Sequence, residues 1–201
     1  WNLARFAEAL FPLLGTEEDE ALEAANQALS QFEIRFLSHW HGRMAAKLGM
    51  PVGAGPGCAG QEAPALVNEV LSWLADHKLD FTAAFTALTD HRGDRPVPAA
   101  LQVQHRTLMD ILRDAPWFRH WTALTDGIPQ AAALMAQHNP VYIPRNHLVE
   151  DALAAATDKA DPGPALRLLE VLLDPFTRRH GLEDCEALPE PAPGYRTFCG
   201  T

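Results

Sequence analysis

Nine histidines and three cysteines are the residues of this 201-residue chain best suited to hold a metal or take part in group transfer. The closest histidine pair, His39 and His41, flanks Trp40. Two residues along a helix turn through about 200°, so these imidazoles point apart and do not grip one ion. The sequence has no HExxH, no CxxC and no Cys/His cluster at zinc spacing, and the histidines read as structural or surface groups. Nucleophilic catalysis has no GxSxG elbow to rest on. The glycine-rich stretch Gly53 to Gly60 lacks the Lys-Ser/Thr of a phosphate loop and the GxGxxG spacing, and reads as a flexible insertion. WFRHW at 117–121 sets Trp117 and Trp121 one helical turn apart, a spacing that reads as core packing ahead of base stacking. Cys199 stands out. It lies on a polar, Pro-rich segment where a thiol is accessible; the terminal carboxylate nearby raises its pKa while Arg196 opposes that shift. Cys185, fourteen residues earlier, is a candidate partner across an easily closed loop.

The balance of 16 Lys and Arg against 26 Asp and Glu gives a formal net charge of −10. Without a Lys/Arg cluster to neutralise phosphates, neither a nucleic-acid partner nor an anionic membrane surface is expected. No run approaches 18 apolar residues and no basic segment precedes an apolar one at the start, so a cytosolic or matrix-like setting is the default. At 47% hydrophobic the chain has ample material for a core, and three cysteines are too few for a disulfide scaffold.

The elements that must position these residues are helical. Leu3, Phe6, Ala7, Leu10, Phe11 and Leu14 recur at intervals of three and four, placing a helix over 1–14 that Gly15 stops. Thr16 reads as the N-cap of a second helix running to about Ser30, with Glu17 to Glu20 in its first turn. A four-spaced stripe, Phe32, Phe36, Trp40, Met44 and Leu48, then runs to Gly49 and Pro51. Helices follow around Leu66 to Leu74, Phe81 to Leu88, Leu101 to Leu112, 117–121, Ile128 to Met135, Pro144 to Thr157 and Leu166 to Leu173. Residues 90–98 carry loop signals, as do 51–60. No alternating β-branched run occurs, so the fold class is all-α, an array of eight to ten helices. The organisation read from this pattern is helices over 1–50, a Gly/Pro-rich loop over 51–61, a helical region over 62–176, and an extended tail over 177–201.

Several stretches together resemble the selenoprotein O family: the opening WNLARFAE at 1–8, RMAAKLG at 43–49, Asp80-Phe81-Thr82 with Phe85 and Leu88, NPVYIPRNHLVE at 139–150, and YRTFCGT at 195–201. The resemblance implies the later C-lobe helices of a protein-kinase-like (pseudokinase) fold that transfers AMP from ATP to hydroxyl side chains of protein substrates, with Mg²⁺. It implies that the glycine-rich loop, the catalytic Asp and the metal ligands belong to a kinase-like core upstream of Trp1. No catalytic, nucleotide-binding or metal residue is therefore carried onto this chain. Trp1, Asn2, Arg5, Asn139, Pro140, Pro144, Arg145 and Asn146 are assigned as a structural signature, with 1–14 as a central buried helix of the lobe. In the family the residue at Cys199 can form a regulatory disulfide with an upstream cysteine, which makes it the redox candidate here. The expectation is a scaffold with a redox tail, inactive alone, from a bacterial cytoplasm, or a mitochondrion if the source is eukaryotic. The alternative is a stand-alone helical interaction module without catalysis.

Overall fold

The computed structural model describes residues 1–15, 17–51 and 62–189. Every regular element in them is helical: α1 Asn2–Leu14, α2 Glu18–Lys47, α3 Glu62–Asp76, α4 Phe81–Gly93, α5 Gln102–Arg113, α6 Phe118–Asp126, α7 Ala131–His138, α8 Asn146–Lys159, α9 Gly163–Leu173 and the single turn α10 Glu183–Glu186. A 3₁₀ turn, Ala99–Leu101, leads into α5. Contacts divide the chain into two units, Trp1–Met44 and Ala45–Thr201.

The first unit holds α1 and most of α2. Helix α1 is amphipathic in sequence, yet none of its residues is buried. Trp1 is 89% exposed and Phe6 61%. Its apolar face is only partly covered: Ala7, Leu10 and Phe11 are half-buried, while Leu3, Phe6, Leu13 and Leu14 are exposed. Helix α2 is continuous where the sequence reading placed two helices with a change at Ser30 and Phe32. Ser30 does not break it because its hydroxyl donates to the Gln27 carbonyl at 2.9 Å, a bond made within the helix. Gln31 and Arg35 then pair across one turn. Thr16, read as the cap, lies outside the described residues.

The second unit carries the core. Leu66, Val67, Val70 and Leu74 line one face of α3 and are buried, as are Phe85 and Leu88 of α4, Met109 and Leu112 of α5, Trp117, Trp121 and Met135; Trp73 of α3 meets Trp117 edge to face, ring centroids 5.9 Å apart. Burying each such side chain contributes about 1.5–3 kcal/mol. Trp117 and Trp121 are core residues, and the indole N–H of Trp121 donates to the Leu48 carbonyl at 2.9 Å.

Two helix ends explain how this unit keeps its turns tight. At the end of α2, Gly49 has φ +80°, and the N–H groups of Gly49 and Met50 return to the carbonyls of Ala46 and Ala45. This is a Schellman cap. Helix α3 ends the same way with Lys78 at φ 53° in the glycine position.

Three boundaries differ from the sequence reading. Residues 90–93 belong to α4 rather than to a loop, because the αL residue Asp94 delays the end of the helix. Helix α8 starts at Asn146, with Arg145 at its N-cap, so Pro144 precedes the first turn instead of occupying it. Residues 177–189, read as extended tail, include α10 and pack Cys185 into a small core with Val141, Tyr142 and Val171.

Candidate functional site

Three of the stretches singled out by sequence, 43–49 from Ala45 onward, 80–88 and 139–150, converge in the second unit. Lys47, the last residue of α2, donates from Nζ to the His138 carbonyl at 2.7 Å, capping the C-terminal end of α7. Asn139, just past α7, answers by donating from Nδ2 to the Lys47 carbonyl at 2.7 Å, capping α2. Each helix end leaves carbonyls without a helical partner, and this exchange satisfies one on both sides. Asn139 also donates to the Thr89 hydroxyl at 2.9 Å. The Lys47 ammonium sits over the rings of Phe81 and Phe85 at 5.6 and 5.7 Å. Burial lowers its pKa from the ordinary lysine value.

Arg145 reaches back to the start of α4. Its guanidinium donates to both carboxylate oxygens of Asp80, at 3.0 and 3.4 Å. Asp80 also accepts from the Ala83 N–H at 2.7 Å, so one carboxylate caps α4 and anchors the loop before α8. Pro140 supplies the carbonyl that accepts from the Thr86 hydroxyl at 3.4 Å. Pro144 and Asn146 are exposed. Trp1, Asn2 and Arg5 lie in the first unit, where Arg5 pairs with Glu8 at 2.6 Å and stands over the Trp1 ring.

A second cluster was missed by the sequence reading. Arg178 lies between two carboxylates, donating to both oxygens of Asp90, at 2.8 and 3.1 Å, and to both of Glu186, at 2.6 and 2.9 Å. The Asp90 side chain is fully buried, and Arg95 adds a contact at 3.6 Å. Despite its burial, hydrogen bonds to Glu186 and Asp90 raise the pKa of Arg178 above the ordinary arginine value. Asp90 sits in the charged run DHRGDR, which from sequence reads as a solvated turn. The available signal was weak: Asp90 shares a helical face with Ala83, Thr86 and Ala87, small residues away from the Phe81, Phe85 and Leu88 stripe.

Between the two clusters is a cavity of about 30 Å³ lined by Arg145, His105, Glu186, Thr82 and Thr86. It accommodates little more than one water molecule, against the roughly 300–1,000 Å³ of small-molecule sites. A cleft of about 280 Å³ lies among α8, α9 and α10, beside Leu148, Pro164, Arg167, Leu168 and Cys185. Cys185 is 2% exposed, and burial pushes its thiol above the ordinary cysteine value, so it is a poor nucleophile. Cys199, the redox candidate, lies outside the described residues, as do Cys58 and the loop from 52 to 61. Among the described residues no group of three or more His, Cys, Asp or Glu side chains is placed to hold a metal ion. No helix among them is long and apolar enough to cross a membrane.

Among the described residues the arrangement defines a class: an all-helical fold whose buried carboxylate Asp90 and buried guanidinium Arg145 are paired with groups on its own elements. A protein-family model described as "Protein adenylyltransferase SelO" matches residues 1–172. The chain belongs to this family. It is 42% identical over 204 residues to the protein nucleotidyltransferase YdiU of Pseudarthrobacter chlorophenolicus, covering all of this chain and 39% of that protein. It is 39% identical over 216 residues to the YdiU of Chromobacterium violaceum, covering all of this chain and 41% of the relative. The YdiU of Mycolicibacterium paratuberculosis is 40% identical over 203 residues, with 39% of its length covered. The chain thus spans about two fifths of the length of the curated relatives it matches.

Proposed function

We propose that this chain is the helical scaffold of a protein adenylyltransferase, an enzyme that moves AMP from ATP to Ser, Thr or Tyr hydroxyls of protein substrates. In this reading the nucleotide site is built by a kinase-like core to which these helices dock, and the whole protein works in the cytoplasm. The observation that carries it is the family match over residues 1–172, within a chain that spans two fifths of its relatives.

The described residues do not fit Mg²⁺ or a triphosphate. The carboxylates of the two clusters are taken up by Arg145 and Arg178, and the cavity between them is too small. No chemical step is therefore assigned to them. Their role is mechanical: Asp80, Arg145, Asn139 and Lys47 hold α2, α4, α7 and α8 in one register, and a rigid support is what a transferase needs to aim charged groups at a triphosphate. Cys199 is proposed as the redox-responsive residue of the complete protein.

Calorimetric titration of the 201-residue chain with ATP and Mg²⁺ tests this division of labour. The expected result is no heat of binding above dilution. Saturable binding at low-micromolar ATP contradicts it, because the nucleotide site then resides in these helices.

A further inference from the structure

Residues 175–188 form a strap, of which the sequence reading took the part from 177 onward as extended tail. It follows α9 and lies beyond the last residue of the family match, Leu172. The Pro175 carbonyl accepts from the N–H groups of Val141 and Tyr142, at 2.8 and 3.2 Å. The Tyr142 hydroxyl accepts from the Arg179 N–H at 2.8 Å. Leu188 N–H donates to the Gln104 side-chain carbonyl at 3.2 Å. The deepest attachment is Arg178, held by Asp90 of α4 and by Glu186 of the strap itself.

His105 of α5 stands at this attachment. Its Nε2 is buried, forms no hydrogen bond among the described residues, and lies 3.8 Å from Asp90 Oδ2. The charged groups around it are Asp90, His91 and Arg95 from α4 and the turn after it, Arg113 from its own helix, Arg178 and Glu186 from the strap, and Arg145 across the cavity. At the latch, two arginines, Arg95 and Arg178, balance two carboxylates, Asp90 and Glu186. A proton on His105 makes a third cation in a space sized for two.

We propose that His105 is an acid-operated release for the strap: on taking a proton it competes with Arg178 for Asp90 and loosens residues 175–188. Burial lowers the pKa of His105, with Arg178 and Arg113 acting in the same direction and Asp90 and Glu186 opposing. The sign follows. A histidine whose pKa is depressed while the strap is docked leaves docking at full strength above the ordinary histidine value, about 6.5, and weakens it as pH falls below that value.

The test is hydrogen exchange of the full chain, followed by mass spectrometry of peptides covering 175–188 at pH 7.5 and 5.5, corrected for intrinsic chemical exchange. The expected result is faster exchange in the strap at pH 5.5 than at pH 7.5, the direction that a depressed histidine pKa requires. Exchange in the α3 peptides should stay unchanged. The pH effect should vanish in His105→Gln and survive in His91→Gln and His180→Gln. A pH-independent strap overturns the proposal, as does an acid response that persists in His105→Gln or disappears in His180→Gln. If His105→Gln does not fold, the NMR titration of the wild-type ring decides. A midpoint below 6.5 that coincides with strap release supports the assignment, and a midpoint at or above 6.5 removes it.

Discussion

Asn139 and Arg178 each satisfy several buried groups at once, and their loss should be felt accordingly. In Asn139→Ala the Lys47 carbonyl and the Thr89 hydroxyl lose their shared donor, which should cost about 2–3 kcal/mol in urea unfolding. Arg178→Met leaves the fully buried Asp90 and the nearly buried Glu186 facing each other, and the expected loss is larger, about 3–5 kcal/mol. A loss below about 0.5 kcal/mol in either variant contradicts the geometry described here. Cys185 gives a kinetic check: with its thiol buried and raised in pKa, it should react with a thiol reagent at pH 7.5 only after unfolding. Modification of Cys185 in the native chain at the rate of a free thiol opposes this. At this scale the sequence was informative where a residue belonged to a recognisable stretch, as with Asn139 and Arg145. It was silent on Asp90, because a carboxylate in a charged run is distinguished from a solvated one only by the distant Arg178 that neutralises it.

At the scale of elements, helix periodicity located α3, α5 and α9 because each alternates apolar and polar faces at helical spacing, whereas α4 is buried at every position from Ala84 to Asp90. The uninterrupted α2 was hidden by a lapse in its apolar stripe near Ser30, a gap in pattern without a gap in hydrogen bonding. The strap was hidden for a related reason. Its Pro and charged residues suggest extension, whereas its attachment depends on contacts with residues some 37 to 88 positions away. The Schellman caps permit a paired prediction. Lys78 holds φ 53° at a position suited to glycine and is exposed, so Lys78→Gly should stabilise the chain by about 1 kcal/mol. Gly49→Ala should destabilise it by more than that, because a Cβ there comes within 3.1 Å of the Ala131 and Met135 side chains. Thermal unfolding of both variants reads the two signs, and equal effects refute the assignment of both caps.

At the scale of the whole molecule, the first unit carries the clearest sign of an unmet partner. Trp1, Phe6, Leu13, Phe32, Ile34 and Phe36 are all exposed large apolar side chains, and no residue of α1 is fully buried. So many exposed large apolar groups on two neighbouring helices of the chain mark an interaction surface. The isolated chain should therefore bind an apolar fluorescent dye and self-associate with rising concentration. Phe6→Glu with Leu13→Glu should reduce both, and a dye-silent monomer contradicts the expectation.

The central claim, that these helices support AMP transfer without holding the nucleotide, is tested most directly by complementation. The three fifths of the Pseudarthrobacter chlorophenolicus relative that this chain does not match would be co-expressed with it, and transfer of radiolabelled AMP from ATP to protein would be measured for each part and for the pair. The account predicts labelling by the pair and none by the 201-residue chain. AMP transfer by this chain alone, abolished by a substitution among its own described residues, would contradict it.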